Sequence, residues 1–143
     1  MRRLALACTA FALVAACAAQ TGSTSSITGH VLVNPLSVSL TVPAGPVKPG
    51  KEFVVKATVS NAASAELSNV QATLLRDPAI VLYDPATQVL GKLGPRRSAK
   101  FTWAACSATP GNYVVMARAT AGVFTAESQG ALVAVAPGRS PQC

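Results

Sequence analysis

The chain alternates apolar and polar residues over several short stretches after residue 35, and this period of two constrains its fold more than any other feature. From Leu36 to Val42 the sequence reads Leu-Ser-Val-Ser-Leu-Thr-Val, so every second residue is apolar. Residues 53, 55, 57 and 59 are again apolar, whereas residues 56, 58 and 60 are polar. Because successive strand residues point to opposite faces, these stretches predict β-strands with one buried face.

Turn-forming residues separate the alternating stretches. The chain has ten Gly and ten Pro, and Asp77-Pro78 and Asp84-Pro85 are typical turn formers. The polar segment 61–69 is predicted to be a loop. Strands are predicted at 36–42, 53–59, 70–75, 79–83, 88–93, 99–103 and 113–120, and in a final hairpin that ends at 130–136. No segment favours a helix, so the pattern predicts an all-β fold, a single antiparallel β-sandwich of about seven strands.

The segment from Met1 to Ala16 has the features of an export signal. Met1-Arg2-Arg3 carries positive charge, and the stretch from Leu4 to Ala16 is apolar except for Thr9. A membrane-spanning helix needs about 20 apolar residues, so this run is too short to be one. Val14-Ala15-Ala16-Cys17 resembles a bacterial lipobox, whose cysteine thiol takes a diacylglyceryl group before cleavage. We therefore predict a lipoprotein signal peptide at 1–16 and lipidation of Cys17.

The alternative is cleavage after Ala18 or Ala19, which would leave a soluble secreted protein. Cys8 has only four apolar residues before it, so we expect it to be part of the signal. Residues 17–34 are predicted to be the lipidated Cys and a flexible tether, because 18–29 are small and polar without periodicity. Residues 35–136 form the predicted sandwich, and 137–143 a C-terminal tail.

The charge of the chain is mildly basic and scattered. Its 12 Lys and Arg include Arg2 and Arg3 of the signal, so ten remain against five Asp and Glu, a net charge of about +5. Arg96-Arg97 and Lys100 form one small cluster. There is no basic stripe with interleaved aromatic residues, so nucleic acid is not an expected partner. Weak attraction to anionic lipid or acidic polysaccharide is the functional alternative to a solvated surface.

Several strand and turn motifs resemble a known family. They are Val47 to Gly50 (Val-Lys-Pro-Gly), Val59-Ser60-Asn61, Asn69 to Leu74, Leu90 to Pro95, and Pro110 to Ala117. Together they resemble the immunoglobulin-like adhesion-related domains of bacterial cell-surface proteins, the CARDB and NEW3-type groups, over about residues 36–136. The resemblance implies a seven-stranded immunoglobulin-like module without catalytic activity, often an accessory in surface or secreted proteins.

Two aromatic residues have structural interpretations within such a sandwich. Gly111-Asn112-Tyr113 resembles the tyrosine corner of immunoglobulin domains, in which the tyrosine hydroxyl bonds back to the chain upstream. We expect Tyr113 at this corner and Trp103 in the core, rather than either as a ligand platform. Val114 and Met116, however, lie on the face of their strand opposite Tyr113, Val115 and Ala117. Both faces cannot pack into one core, so this second face is exposed or covered by a loop.

With Cys8 in the signal and Cys17 lipidated, Cys106 and Cys143 remain. Export brings them to an oxidising compartment, where pairing is expected. Cys106 is predicted to lie in the turn before the strand of Tyr113, at the same end of the sandwich as the end of the last strand. An intramolecular disulfide is therefore predicted. An intermolecular bridge through Cys143 and free thiols are the alternatives.

Residues suited to catalysis or metal binding are few. His30 is the only histidine, and it lies at the edge of the predicted tether. The five carboxylates are scattered, and neither a phosphate-binding loop nor a nucleophile elbow is present. Metal sites need several His, Cys or carboxylate ligands to converge. We expect no enzymatic activity, no metal and no cofactor.

These features predict a non-catalytic exported lipoprotein of the cell envelope. The membrane, through the lipid at Cys17, is one expected partner. A protein or glycan that binds a sheet face or loops is the other. Ala18 is not the Asp that retains lipoproteins in the inner membrane of some bacteria, so the outer membrane or cell surface is the expected location. The alternative function is a structural or assembly component of a larger envelope complex or surface filament, in which the chain would form an oligomer.

Overall fold

The computed structural model describes residues 33–138 and 142–143, and these residues contain nine β-strands and no helix. The predicted signal peptide, Cys17 and His30 lie outside the described residues. Within residues 33–138 and 142–143, no helix is long and apolar enough to cross a bilayer. The strands are β1 (Leu36–Thr41), β2 (Phe53–Asn61), β3 (Leu67–Arg76), β4 (Val81–Leu82), β5 (Thr87–Leu93), β6 (Ser98–Cys106), β7 (Gly111–Ala121), β8 (Phe124–Glu127) and β9 (Ala131–Val135).

The strands form two antiparallel sheets. Sheet A has the order β1-β2-β6-β4. Sheet B has the order β5-β3-β7, and both β8 and β9 pair with the free side of β7. Val47, which precedes β2, adds a parallel bridge to the end of β9 through hydrogen bonds of 2.9 Å to Ala134 and Ala136. This arrangement is the immunoglobulin-like β-sandwich that the alternating pattern and the resemblance predicted.

The core lies between the sheets, and the alternation of each strand fills it. Strand β2 alternates almost perfectly between buried odd-numbered and outward even-numbered residues. Strand β7 does the same from Val115 to Ala121. Trp103 of β6 is the largest fully buried side chain, and it lies beside Phe101 with ring centroids 6.3 Å apart. Each buried side chain of this size stabilises the fold by roughly 2 kcal/mol relative to an exposed one.

The two ends of the sandwich are distinct. The proximal end is the one at which the chain enters β1, and it holds the segment Val33 to Pro35, the β2–β3 loop, the β5–β6 turn and the β7–β8 turn. Register shows this grouping, because Leu36 pairs with Asn61, Ser60 with Ser98, and Gln71 with Thr120. The distal end holds the β1–β2 connection, the segment from β3 to β5, the β6–β7 turn and the end of β9.

The buried side chain of Asn61 joins the loops of the proximal end. Its amide nitrogen donates to the carbonyl oxygens of Ala65, Leu93 and Gly94 at 2.8, 3.3 and 3.0 Å. Its carbonyl oxygen accepts a hydrogen bond of 2.9 Å from the amide of Ala63. The β2–β3 loop and the β5–β6 turn are therefore held together by one side chain.

Five details differ from the sequence prediction. The loop predicted at 61–69 is shorter, because Asn61 ends β2 and β3 begins at Leu67. The strand predicted at 79–83 contains only two paired residues, and the final hairpin contributes β8 as a separate strand. Cys106 is the last residue of β6 rather than part of the following turn, because it pairs with Val81 of β4. Asn34, assigned by sequence to the tether, donates to the carbonyl of Thr125 at 2.7 Å and accepts from the amide of Leu36.

Candidate functional site

The outer face of sheet B carries a group of apolar side chains that the core does not use. Val114 of β7 and Leu132 of β9 are directly opposite each other, and 51% and 63% of their surfaces are exposed. Leu75 of β3 and Met116 of β7 form the next cross-strand pair, and both are half-buried. We call these four residues the apolar patch. It lies in the distal half of sheet B, near the start of β7 and the end of β3.

The sequence predicted half of this patch. The apolar residues on both faces of β7 indicated that Val114 and Met116 could not enter the core. The structure shows Val114 largely exposed, so no described segment covers it. Gly130, in the β8–β9 loop, lies beside it, since a Cβ atom at Gly130 would be 3.1 Å from Cγ1 of Val114. Leu75 and Leu132 were missed because the pairing of three strands, which one sequence does not reveal, brings them to this face.

The outer face of sheet A has a different chemistry. Lys56 and Lys100 lie on it among hydroxyl side chains, and the hydroxyl oxygens of Ser60 and Ser98 are 2.7 Å apart. The hydroxyl residues share outward positions on three adjacent strands: Ser37, Ser39, Thr41, Thr58, Ser60, Ser98 and Thr102. The two broad faces of the sandwich therefore differ, with one polar and basic and the other partly apolar.

The two aromatic residues singled out by sequence have structural roles, as predicted. Trp103 is fully buried, and its indole nitrogen donates to the carbonyl of Pro85 at 3.1 Å. The hydroxyl of Tyr113 donates to the carbonyl of Thr109 at 2.9 Å, which is the bond of a tyrosine corner. Gly111 has a φ of 155°, and a Cβ atom there would lie 3.0 Å from the tyrosine oxygen. The ring therefore packs where only glycine leaves room.

The cysteines at the distal end form a disulfide. Cys106, fully buried at the end of β6, is joined to Cys143 with a Cα–Cα distance of 5.7 Å. The pairing of Gly111 with Val135 brings the start of β7 beside the end of β9, which is the topological argument made from sequence. The lipidation predicted for Cys17 lies outside the described residues.

The carboxylates of the described residues are separated and mostly engaged. Glu66 pairs with Lys92 at 3.1 Å and Glu127 with Arg118 at 2.6 Å. Asp77 accepts a 2.9 Å hydrogen bond from the amide of Ala79, as expected of a turn former. Asp84 does more than form a turn, because it accepts a 2.7 Å hydrogen bond from the amide of Ala104 in β6. No cluster of three potential metal ligands occurs among the residues that the structure describes.

A hollow of about 520 Å³ opens at the distal end. It contains no titratable side chain among its described lining. The lining is mostly proline and small apolar residues: Pro46, Pro110, Gly111, Asn112, Ala134, Val135, Ala136 and Pro137.

Comparison with known proteins shows the fold. No protein-family model matches the chain, and no curated protein matches it. The CARDB domain of PF1109 from Pyrococcus furiosus is similar in structure, with a TM-score of 0.55 and 17% identity over 71% of this chain and 94% of that one. A FixG-related protein from Vibrio parahaemolyticus has a TM-score of 0.56 and 11% identity over 73% of this chain and 100% of that one. At these identities the similarity is one of fold: the chain has an immunoglobulin-like fold similar to that of the CARDB domain.

Proposed function

We propose that this chain is an exported, lipid-anchored and non-catalytic binding module of the cell envelope, and that its partner is a protein that binds the apolar patch. The exposed cross-strand pair of Val114 and Leu132 is the observation on which the proposal rests. Contiguous apolar side chains rimmed by polar ones are typical of protein–protein contacts. Here the Arg118–Glu127 pair borders the patch on the same face of sheet B.

A protein partner fits this face better than a glycan does. Sugar rings commonly stack on exposed aromatic side chains, but the patch has none. Trp103 is enclosed in the core, Tyr113 is held at its corner, and the exposed ring of Tyr83 follows β4 of sheet A rather than lying on this face. The patch itself consists of aliphatic and thioether side chains, which associate by exclusion of water. These side chains are complementary to a similar apolar surface on another protein.

Export and anchoring rest on the sequence from Met1 to Cys17 and are supported by the disulfide. A bond between Cys106 and Cys143 persists in an oxidising compartment, such as the bacterial periplasm or the cell surface. Lipidation of Cys17 would hold the domain at the outer membrane or the cell surface. Metabolic labelling with a fatty acid tests this step: the wild type should be labelled and the Cys17→Ser variant should not. If neither protein were labelled, the lipid anchor would be ruled out, but the proposal of export would not be affected.

Site-specific photocrosslinking in the native envelope tests the binding face. A photoreactive residue at position 132 should give a discrete protein adduct, whereas the same residue at position 56, on the outer face of sheet A, should not. The adduct should disappear when Val114 is replaced by Glu, because a carboxylate cannot be buried against an apolar partner without a large desolvation cost. The matched control is Thr120→Glu, which adds the same charge to the same face of β7 outside the patch.

Three outcomes would contradict the proposal. They are equal adducts from positions 132 and 56, loss of the adduct with Thr120→Glu as well as with Val114→Glu, and an adduct only with other copies of the same chain. The last outcome, together with a stable oligomer in size-exclusion chromatography without detergent, would favour a structural or assembly component instead.

A further inference from the structure

The proximal end of the sandwich gathers basic side chains that are spread along the sequence. Arg96 and Arg97 lie in the β5–β6 turn, Lys100 lies just beyond it on β6, and Lys92 lies just before it on β5, paired with Glu66. All four basic residues are exposed. Together with Glu66, they give the described residues of this end a net charge of +3.

The β5–β6 turn is held in place. The amide of Arg96 donates to the carbonyl of Ala63 at 3.1 Å, and the carbonyl of Arg97 accepts from the amide of Asn61 at 2.9 Å. Arg96 has a φ of 53°, in the left-handed region where a residue with a Cβ atom is uncommon. A bulky arginine is thus held at a position that glycine or asparagine would occupy at lower cost.

The distal end has no such excess of positive charge. Its described residues carry three basic and three acidic side chains, namely Lys48, Lys51, Arg76, Glu52, Asp77 and Asp84. The net charge of the described sandwich is therefore concentrated at one end. Screening limits the reach of exposed charges to about 10 Å in ordinary salt, so each end interacts with its own surroundings.

Exposed apolar side chains lie at the same end of the sandwich as these basic ones. Val123, at the tip of the β7–β8 turn, is 86% exposed. Gly122 precedes it with a φ of 58°, which shapes the tight turn that projects the valine. Val33, just before β1, is 77% exposed. Basic residues with projecting apolar residues are the combination that binds the headgroup region of an anionic membrane.

The chain also leaves the sandwich toward Cys17 from this end. Pro35 accepts a hydrogen bond of 2.8 Å from the amide of Ala62 in the β2–β3 loop, and Leu36 pairs with Asn61. Seventeen residues lie between Cys17 and Pro35. A chain of this length can span at most about 60 Å, so a lipid at Cys17 would limit how far the proximal end can lie from the bilayer.

We propose that the proximal end docks on the anionic phospholipid headgroups of the membrane that holds Cys17. The proposal rests on the lipid anchor of the proposed function and adds an orientation to it. Arg96, Arg97 and Lys100 attract the headgroup phosphates, and Val123 enters the interface. The apolar patch, in the distal half of sheet B, then lies on the part of the sandwich farther from the membrane, where a partner can reach it.

Vesicle co-sedimentation of the mature protein with Cys17→Ser tests the docking without an acyl chain. The vesicles contain equal parts of phosphatidylglycerol and phosphatidylcholine, or phosphatidylcholine alone. We expect binding to the anionic vesicles only, weakening as salt is added. Arg96→Glu with Arg97→Glu should weaken binding at least about tenfold. The matched control, Lys48→Glu with Lys51→Glu, makes the same change of charge at the distal end and should bind like the wild type.

The apolar contribution is tested in the same assay. Val123→Asp should weaken binding to the anionic vesicles. Val89→Asp should not, because Val89, although 73% exposed, lies on β5 rather than in a proximal loop. Circular dichroism of each variant checks folding, and Arg97→Glu with Lys100→Glu replaces the first pair if that pair fails to fold.

Several results would overturn the docking proposal. They are equal binding to both kinds of vesicle, an equal loss with the distal control pair, and binding to a soluble anionic polysaccharide without binding to vesicles. None of these depends on acylation, so a failure of fatty-acid labelling at Cys17 would be distinguished from a failure of docking.

Discussion

Asn61 shows how one polar residue in the core can fix the shape of a whole end of the sandwich. Its side chain contacts four backbone groups, and two of them, in Leu93 and Gly94, belong to a turn that is distant along the chain. A buried backbone carbonyl or amide without a partner costs about 1–3 kcal/mol. The side-chain amide of Asn61 therefore supplies hydrogen bonds to backbone groups in and beside the loops of the proximal end.

Replacing Asn61 by Ala should lower the free energy of unfolding by about 3 kcal/mol, because one buried and three part-buried backbone groups lose their partner at once. Urea denaturation measures the change. Asn112→Ala is the control, since Asn112 is exposed on the outer face of sheet B and its loss should change stability by less than about 0.5 kcal/mol. An equal effect of the two substitutions would show that the Asn61 hydrogen bonds contribute little.

Tyr113 makes a smaller and more local contribution. Tyr113→Phe removes the hydroxyl that donates to Thr109 and leaves the ring over Gly111, so we expect a loss of about 1 kcal/mol. Thermal and urea unfolding measure it against Tyr83→Phe, which removes a hydroxyl from an exposed ring. A loss as large for Tyr83 would contradict the assignment of Tyr113 to a tyrosine corner.

Strand β6 lies between β2 and β4 at its distal end, but along the rest of its length it is an edge strand of sheet A. Side chains cover part of that edge. Strand β4 covers only Ala105 and Cys106 of β6. Beyond it, the carboxylate of Asp84 accepts from the amide of Ala104, and the amide of Gln88 donates to the carbonyl of Thr102 at 2.7 Å. These side chains occupy backbone groups that another strand could otherwise pair with.

Replacing both Asp84 and Gln88 by Ala should therefore promote association between copies of the chain. The freed backbone groups of β6 offer a template for an added strand. Size-exclusion chromatography over a range of protein concentrations should show oligomers or aggregates where the wild type does not. Thr87→Ala is the control, because its hydroxyl bonds only to Thr73 within sheet B. A double variant that elutes like this control would contradict a protective role.

At the scale of strands, the sequence predicts a feature well when the interactions that form it are local along the chain. Strands β1, β2, β6 and β7 could be predicted because alternation is a local pattern and each buries one face. Asn61 was predicted to lie in a loop, because a local pattern cannot show partners as distant along the chain as Leu93. Asp84 followed by Pro85 was interpreted as a turn for the same reason, since its partner Ala104 belongs to a later strand. The candidate site was half predicted, with the residues on β7 found and those on β3 and β9 missed.

At the scale of the molecule, the features of the sandwich are distributed along one axis. The proximal end carries the basic turn and the start of the chain, and the distal end carries the disulfide. The apolar patch lies toward the distal end on one broad face. If the proximal end faces a membrane, the patch is the apolar surface that a partner can reach from outside. The proposed anchor, docking end and binding face are thus compatible in one orientation.

The disulfide closes the distal end and should carry a large part of the stability of the domain. Cys106 and Cys143 are 37 residues apart in sequence, so the bond limits the freedom of a long loop in the unfolded chain. On the chain-entropy estimate this contributes about 4 kcal/mol.

Cys143→Ser isolates the contribution, because Cys143 is exposed and its loss opens no cavity, whereas Cys106→Ala also removes a buried sulfur. We expect urea unfolding under oxidising conditions to show a loss of about 4 kcal/mol for Cys143→Ser and a somewhat larger one for Cys106→Ala. Under reducing conditions the wild type should become as unstable as Cys143→Ser, since both then lack only the cross-link. A wild type whose stability is the same with and without reductant would show that the cross-link does not stabilise the sandwich.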